Sequence, residues 1–412
     1  MHRVLYIAQC SPYDSVRHAG GQTLIYYLSR LSRNQDLKID LLSFCSEEES
    51  AHVDVEKYGI EKHLIIRTNS LSEKLGLIYS IPSKINPYHK YADFSAYATH
   101  LLKKNIMLLK KEGKEYDCVF LEWTHIVLHI GMIKEFFPEA FIIGSEPDVS
   151  YLGYQRKADL EKSFFKNSFK KRMTLNMKRR ELTALGRCDF IYVQNEKDKR
   201  LLQNDGIESN KIGIMTPYYH EFEGNRDYSL KSRVIFYGQM SRIENSDAAI
   251  WFIDNVMPRI QNVEFEFIII GSSPPEKLIK LVEKTENVVL TGFVDDVAPF
   301  FYSADLFVCP LLLGAGIKVK VLEALYTGIP VLTNEIGIEG IPASPGKDYI
   351  RCNTAEEFAN CITSLMVDEK ERQRIGENGK EVINSSFNLS RSFDEYKGKL
   401  LQMLEVRKSQ HE

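Results

Sequence analysis

Residues 314–333 read Gly-Ala-Gly-Ile-Lys-Val-Lys-Val-Leu-Glu-Ala-Leu-Tyr-Thr-Gly-Ile-Pro-Val-Leu-Thr, and they gather the chain's most concentrated set of groups able to do chemistry. A glycine-rich turn entering a helix exposes unpaired backbone N–H groups at the positive end of the helix dipole, which is where phosphate is held. Lys318 and Lys320 add positive charge beside that turn. Glu323 lies one turn further along, where a carboxylate could take a pair of ribose hydroxyls. The stretch therefore reads as a nucleotide-diphosphate site in the C-terminal half of the chain. The competing reading is an ordinary βαβ crossover whose lysines are merely solvated.

A second loop of related type follows the first apolar run, in Pro12-Tyr-Asp-Ser-Val-Arg-His18-Ala-Gly20-Gly21-Gln22-Thr23. A strand, a glycine pair and a helix allow backbone to approach a phosphate or a sugar closely. The pattern is not Gly-x-Gly-x-x-Gly, so a nicotinamide or flavin dinucleotide is not indicated. A lone glycine pair is often only a turn.

The elements that must position these groups alternate along the chain. Val4–Ala8, Ile39–Phe44, Leu64–Arg67, Cys118–Leu121, Phe141–Gly144 and Phe190–Val193 read as strands, with a helix expected over Thr23–Ser32. Pro217–Ser232 is polar and aperiodic, and reads as an interdomain linker. The pattern then resumes with Val234–Tyr237, Phe265–Ile270, Val288–Leu290, Leu306–Val308 and Val331–Thr333. Asn245 or Ser246 could cap the helix that runs to Val256, and Pro258 ends it. Continuous apolar strands separated by helices indicate parallel sheets covered on both faces. Ligands in such sheets sit at the carboxyl ends of the strands, so the expected site is the cleft between two domains. The fold class is therefore α/β, with two Rossmann-like doubly wound domains facing that cleft and helices at the C-terminus. The expected boundaries are 1–225, 230–385, and 386–412 as a helix packing back toward the N-terminal domain.

Bulk properties exclude several classes. The chain has 412 residues, 44% of them hydrophobic and 26% charged, which is globular rather than disordered composition. A formal net charge of −3 gives no whole-molecule field for nucleic acid, which is not an expected partner. Seven scattered cysteines include no Cys-x-x-Cys and no zinc-like spacing, so reduced cytosolic thiols are the default. The opening run stops at Gln9, as a strand does and a signal peptide does not. No run of about 18 apolar residues occurs. The expectation is a cytoplasmic protein, soluble or peripheral on the inner face of a membrane.

One region departs from this average. Between Arg156 and Arg180 lie ten Lys/Arg against Asp159 and Glu161, interleaved with Phe164, Phe165, Phe169, Met173 and Met177. Such a stretch could lie on an anionic membrane surface, could grip a phosphorylated acceptor, or could be a solvated helix whose aromatics pack into the N-terminal domain.

The C-terminal half resembles the donor-binding domain of family 4 retaining glycosyltransferases, which have the two-domain GT-B fold. The resemblance is carried by Phe236-Tyr-Gly238-Gln-Met240, Asn245-Ser-Asp-Ala-Ala-Ile-Trp251-Phe252 and Val256-Met-Pro258. It continues through Ile270-Gly271, Thr291-Gly292-Phe-Val294-Asp295-Asp296-Val297, Ala304-Asp305, Pro310, the opening motif and Ile338-Glu339-Gly340-Ile341. These segments stand in family order and spacing. The N-terminal half resembles the family through Gly20-Gly21 and through Glu181 with Cys188-Asp189-Phe190-Ile-Tyr-Val-Gln194. The match is strong after residue 230 and weak between 45 and 110.

The resemblance implies sugar transfer from a nucleotide-diphosphate sugar, with retention and without an obligatory metal or other cofactor. The expected acceptor is a glycan or lipid-linked molecule in surface polysaccharide or glycoconjugate synthesis. It implies that Glu323 binds the donor ribose, that Lys318 and Lys320 with N–H groups near Gly316 and Ile317 face the diphosphate and donor sugar, and that Gly21, beside Gly20, approaches the diphosphate. Val294 would lie by the base through its backbone. Three departures matter. Ala315 stands where many members carry an earlier glutamate. Gly238-Gln239 and Glu244 replace a Gly-Arg pair and a later lysine, so Arg242, Lys318 or Lys320 must supply that charge. A histidine often found after the mid-domain strand aligns with Glu122, so Glu122 or the nearby His125 could line the acceptor site. Asp295-Asp296 reads as a helix cap rather than a metal pair. The alternative is a catalytically silent GT-B subunit that positions a partner transferase.

Overall fold

The computed structural model describes residues 1–14, 16, 18–54, 56–68, 96–161 and 163–411. Residues 69–95, inside the weakly matching 45–110 stretch, lie outside the described residues, as do Ser15 and Arg17 of the first glycine loop and Lys162 of the basic stretch. Apolar runs too short for helices and flanked by glycine, proline or charge become strands, and all their ladders are parallel. Strands β1 (His2–Ala8), β2 (Leu37–Ser46), β3 (Lys62–Thr68), β4 (Cys118–Glu122), β5 (Phe141–Glu146), β6 (Phe190–Val193) and β7 (Ile212–Ile214) form one sheet in the order β3-β2-β1-β4-β5-β6-β7. Strands β8 (Arg233–Tyr237), β9 (Glu266–Ile270), β10 (Val288–Gly292), β11 (Leu306–Cys309), β12 (Val331–Thr333) and β13 (Ile350–Arg351) form the second, in the order β10-β9-β8-β11-β12-β13. The edge strands β7 and β13 are three and two residues long, too short for a sequence signal.

The chain divides into two compact units, Met1–Tyr218 with the segment from Leu389 onward, and Tyr219–Asn388. The first has its core in Leu5, Ile7, Leu42, Val119, Leu121 and Ile142, all fully buried, because helices cover both faces of a parallel sheet. Helices used below are α1 (Ala19–Leu31), α2 (Ser150–Asp159), α3 (Phe164–Gly186), α4 (Ile243–Trp251), α5 (Val319–Tyr326) and α6 (Leu389–His411).

Helix α6 joins the first unit through an aromatic cluster. The Tyr396 and Tyr6 hydroxyls lie 2.9 Å apart, and Ser392 Oγ accepts the Thr216 N–H at 3.0 Å. The break between units falls after Tyr218, not at 225–230. Residues 219–232, expected as a linker, are strapped onto the second unit. Arg226 donates to the carbonyls of Ala304 (2.8 Å), Thr327 (3.2 Å) and Phe301, and the Tyr219 hydroxyl donates to Phe387 O at 3.1 Å. The segment lacks periodicity because side-chain-to-carbonyl bonds hold it, and these have no repeat.

Two helix starts also differ from expectation. Helix α1 begins at Ala19 because His18 caps it, Nδ1 accepting the Gly21 N–H at 2.9 Å, so the glycine pair forms the first turn rather than a loop before it. Helix α4 begins at Ile243, ahead of Asn245 and Ser246, so neither caps it.

Candidate functional site

In an open parallel sheet a crevice forms outside the carboxyl ends of the two strands where the order reverses. In the second unit that reversal lies between β8 and β11. The residues singled out in the C-terminal half surround it. The loop after β8 runs through Gly238, Gln239 and Arg242, and the loop after β11 runs from Pro310 to Lys318. Gly271, at the end of β9, packs against the first of these. A Cβ there would meet the Gly238 carbonyl oxygen at 1.8 Å, so only glycine permits the approach.

The two lysines have different surroundings. Lys318 stands at the N-cap of α5 and folds back on its own loop, Nζ donating to Gly316 O at 2.5 Å and Ala315 O at 3.2 Å. Its ammonium also pairs with the buried Glu339 carboxylate at 3.7 Å. Lys318 therefore shapes the glycine turn. Lys320 reaches across the crevice instead, donating to Asn245 Oδ1 and sitting 4.7 Å from the centroid of the Phe236 ring. Asn245 in turn donates to Gln239 O at 2.8 Å, which ties the lysine to the β8 loop. Burial pulls the Lys320 pKa down, with Arg242 adding to that effect and Cys309 and Glu244 opposing it. The negative charge of an anion placed here would offset both influences that disfavour the ammonium.

Glu323, on the first full turn of α5, is 3% exposed. It accepts the His220 N–H at 3.2 Å, a contact supplied by the strap. Burial lifts its pKa to about 8. A carboxyl group held in this way is ready to take hydroxyl donors when a ligand arrives. Gly316 and Ile317 lie in the turn, with Gly316 at positive φ. Val294 follows β10, which lies two strands from β8 in the sheet. Asp296 Oδ1 accepts the Ala298 N–H at 2.9 Å, ahead of a short helix.

The first unit reverses between β1 and β4, and there the remaining residues meet. Gly20, Glu122, Trp123, Ser145 and Gln194 line a small cavity with Tyr6 and Thr23. Glu122, 7% exposed, ends β4, and burial lifts its pKa to about 7. Trp123 follows it with φ 71°, uncommon for a bulky residue and a mark of a constrained position. Its indole covers Gly20, where a Cβ would approach Trp123 Nε1 to 3.0 Å. Gly21 is buried with its N–H given to His18, so of the pair it is Gly20 that borders the cavity. His125 does not line the cavity, and its carbonyl oxygen takes part in a 2.9 Å contact with His129 Nδ1.

Sequence reasoning gave no site role to Asn245, His220, Glu339 or Trp123. Asn245 had a readable signal: it shares the inward spacing of Ala248, Ala249 and Phe252, and a lone amide on that apolar face needs a polar partner. The other three have no local signal, because their partners lie far along the chain or their backbone geometry is set by packing.

Comparison with known proteins bears on the fold and on part of the chain. Residues 231–368 match the family model described as glycosyl transferases group 1. An uncharacterized 44.6 kDa protein in the cps region of Klebsiella pneumoniae is 21% identical over 95% of this chain and 98% of its own length. An uncharacterized glycosyltransferase of Methanocaldococcus jannaschii is 25% identical over 49% of this chain and 52% of its own. Among solved structures, sucrose-phosphate synthase from Thermosynechococcus elongatus superposes with a TM-score of 0.69 at 12% identity, covering 98% of this chain and all of that one. Anabaena HepE in complex with UDP-glucose gives 0.68 at 12% identity, again over 98% and 100%. A Staphylococcus aureus TarM mutant in complex with fondaparinux, alpha-GlcNAc-glycerol and UDP gives 0.65 at 12% identity, over 96% and 99%. The chain has the GT-B fold, and its residues 231–368 match a glycosyl transferases group 1 domain.

Proposed function

We propose that this protein is a family 4 retaining glycosyltransferase that moves a sugar from a nucleotide-diphosphate sugar to a glycan or lipid-linked acceptor, without a metal, in surface polysaccharide or glycoconjugate synthesis. The observation that carries the reading is the crevice between β8 and β11. A buried lysine, a glycine turn at a helix start and a buried carboxyl group occur together there, which supports a site for a diphosphate and a ribose. A relative in a cps region and structural neighbours solved with UDP, UDP-glucose or a glycan support the substrate classes.

In this reading Lys320, with Arg242 beside it, faces the diphosphate. Departure of the nucleotide builds negative charge on a phosphate oxygen, and a fixed ammonium with helix N–H groups stabilises that charge without proton transfer. Lys318 holds the turn that aims those N–H groups. Glu323 accepts the ribose hydroxyls. Gly20, under the Trp123 indole, borders the acceptor cavity of the first unit, and Glu122, with a pKa near neutrality, takes a hydroxyl of the acceptor. The leaving phosphate can accept the acceptor proton, so no protein base is required.

The deciding experiment pairs thermal shift with UDP, GDP and dTDP against an assay for slow hydrolysis of the corresponding sugar nucleotides. One nucleotide diphosphate is expected to raise Tm, and its sugar to release it slowly. No stabilisation by any of them would sink the enzyme reading and favour the silent subunit.

A further inference from the structure

The hairpin of α2 and α3 carries the basic stretch, and the structure decides where its aromatics go. At its base, Glu181 accepts the N–H groups of Ser150 at 2.9 Å and Tyr151 at 3.1 Å, which pins the start of α2 to α3. Near its tip, Asn167 donates to Ala158 O at 3.0 Å and Glu161 O at 3.1 Å, and Lys170 pairs with Glu161 at 2.6 Å. Between these anchors Met173, Thr174 and Met177 are buried and turn inward. The phenylalanines do not. Phe164 is 80% and Phe165 85% exposed, their rings 5.8 Å apart, and Leu160, Phe169 and Leu175 are exposed with them.

On a helical period, Phe164, Phe165, Ser168, Arg172, Leu175 and Arg179 share the outward face, opposite Met173 and Met177. A face turned to water has no reason to carry two phenylalanines and a leucine at intervals among cations. The charge is equally lopsided. Residues 156–180 contribute +8 to a chain whose formal net charge is −3, so the remaining residues sum to −11. An anionic surface therefore attracts this hairpin and repels the rest of the molecule, which selects a single orientation. Among the described residues no helix is long and apolar enough to cross a membrane, so such contact is superficial.

We infer that the α2–α3 hairpin docks the protein on an anionic phospholipid surface, Phe164 and Phe165 entering the headgroup boundary while Lys171 and Arg172 contact phosphates. Exposed aromatics beside basic side chains are what such a boundary accommodates, the rings in the apolar layer and the charges at the lipid phosphates. The occupant is the bilayer itself, not a soluble phosphorylated molecule.

The test is co-sedimentation of the full chain with phosphatidylcholine vesicles and with vesicles containing about a third phosphatidylglycerol. Binding is expected only to the anionic vesicles, with loss as salt is raised. Replacing Lys171 and Arg172 together by Gln should weaken it about tenfold or more, and Phe164→Ala with Phe165→Ala about tenfold or more. A Phe165→Trp variant should blue-shift its emission on anionic vesicles, which adsorption without insertion does not produce. Unchanged circular dichroism keeps each variant interpretable as folded. Equal binding by wild type and the charge variant, or no binding by wild type, overturns the inference. So does a lipid-free dimer that the phenylalanine variant converts to monomer, because the face would then belong to a second copy.

Discussion

The two sheets of this chain reverse their strand order in the same way and build different chemistry around a buried carboxyl group at each reversal. Between β8 and β11 the crevice collects cations: Lys320, with Arg242 close enough to depress its pKa, and Lys318 folded under the glycine turn. Between β1 and β4 the cavity collects a carboxyl group, an indole and small polar residues, and among the described residues no lysine or arginine lines it. In the proposed function one crevice takes the charged diphosphate and the other a neutral hydroxyl. Topology chooses where a ligand sits, and the side chains at the strand ends choose which ligand it is.

The division can be broken most sharply at Lys320. Lys320→Ala should lower kcat/KM for sugar release or transfer by ~100-fold or more while circular dichroism stays native. An unchanged rate would mean that the charge of the second crevice serves no diphosphate. Glu323 gives the next effect: Glu323→Ala should weaken nucleotide diphosphate binding by about 10- to 50-fold in calorimetry, from the loss of charge-assisted hydrogen bonds.

The same residue predicts a pH dependence with a definite sign. Its pKa in the folded chain is raised from 4.5 to about 8 by burial, so its contribution to stability is fully present below 4.5 and is lost as pH rises through 8. Ribose hydroxyls favour the ionised form, so binding should tighten from pH 6 to 8 and then level off. Glu323→Gln should flatten that curve and raise Tm at pH 8.5 by ~2–4 °C, because no buried charge then forms. A mutant whose binding curve still tracks the wild type would place the titration elsewhere.

The first unit should respond differently. Glu122→Gln is expected to lower kcat with acceptor about tenfold and to remove an inflection near pH 7, with nucleotide affinity untouched. If nucleotide binding fell equally, the two crevices would not divide the substrates between them. The smallest effect belongs to Gly20→Ala, whose new methyl group presses on Trp123. It should raise the acceptor KM a few-fold and cost about 1 kcal/mol of stability, measured by denaturant unfolding.

Much of this was legible in the chain. The runs at 4–8, 118–121, 190–193 and 331–333 are strands because unbroken apolar sequence between helices has one stable fate, a parallel sheet buried on both faces. The opening motif sits at the start of α5 as its glycines and lysines require. The errors have a common cause. The strap 219–232 read as a linker because its order comes from Arg226 and Tyr219 reaching distant carbonyls. Asn245 read as a cap because its partners, Lys320 and the Gln239 carbonyl, are joined to it only by the crossing of two loops.

By itself the sequence determined two parallel α/β sheets, a glycine turn with lysines and a carboxylate in the second, and a basic aromatic stretch in the first, since local composition and periodicity encode these. Only the tertiary structure separated the lysines into one that shapes the turn and one that crosses the crevice. It also buried Glu323 under the strap, closed Trp123 over Gly20, and turned Phe164 and Phe165 outward. The reason is physical. Charge, pKa and exposure depend on what lies within a few ångströms, and in this chain those neighbours can lie a hundred residues away or more, brought together by the order of the strands.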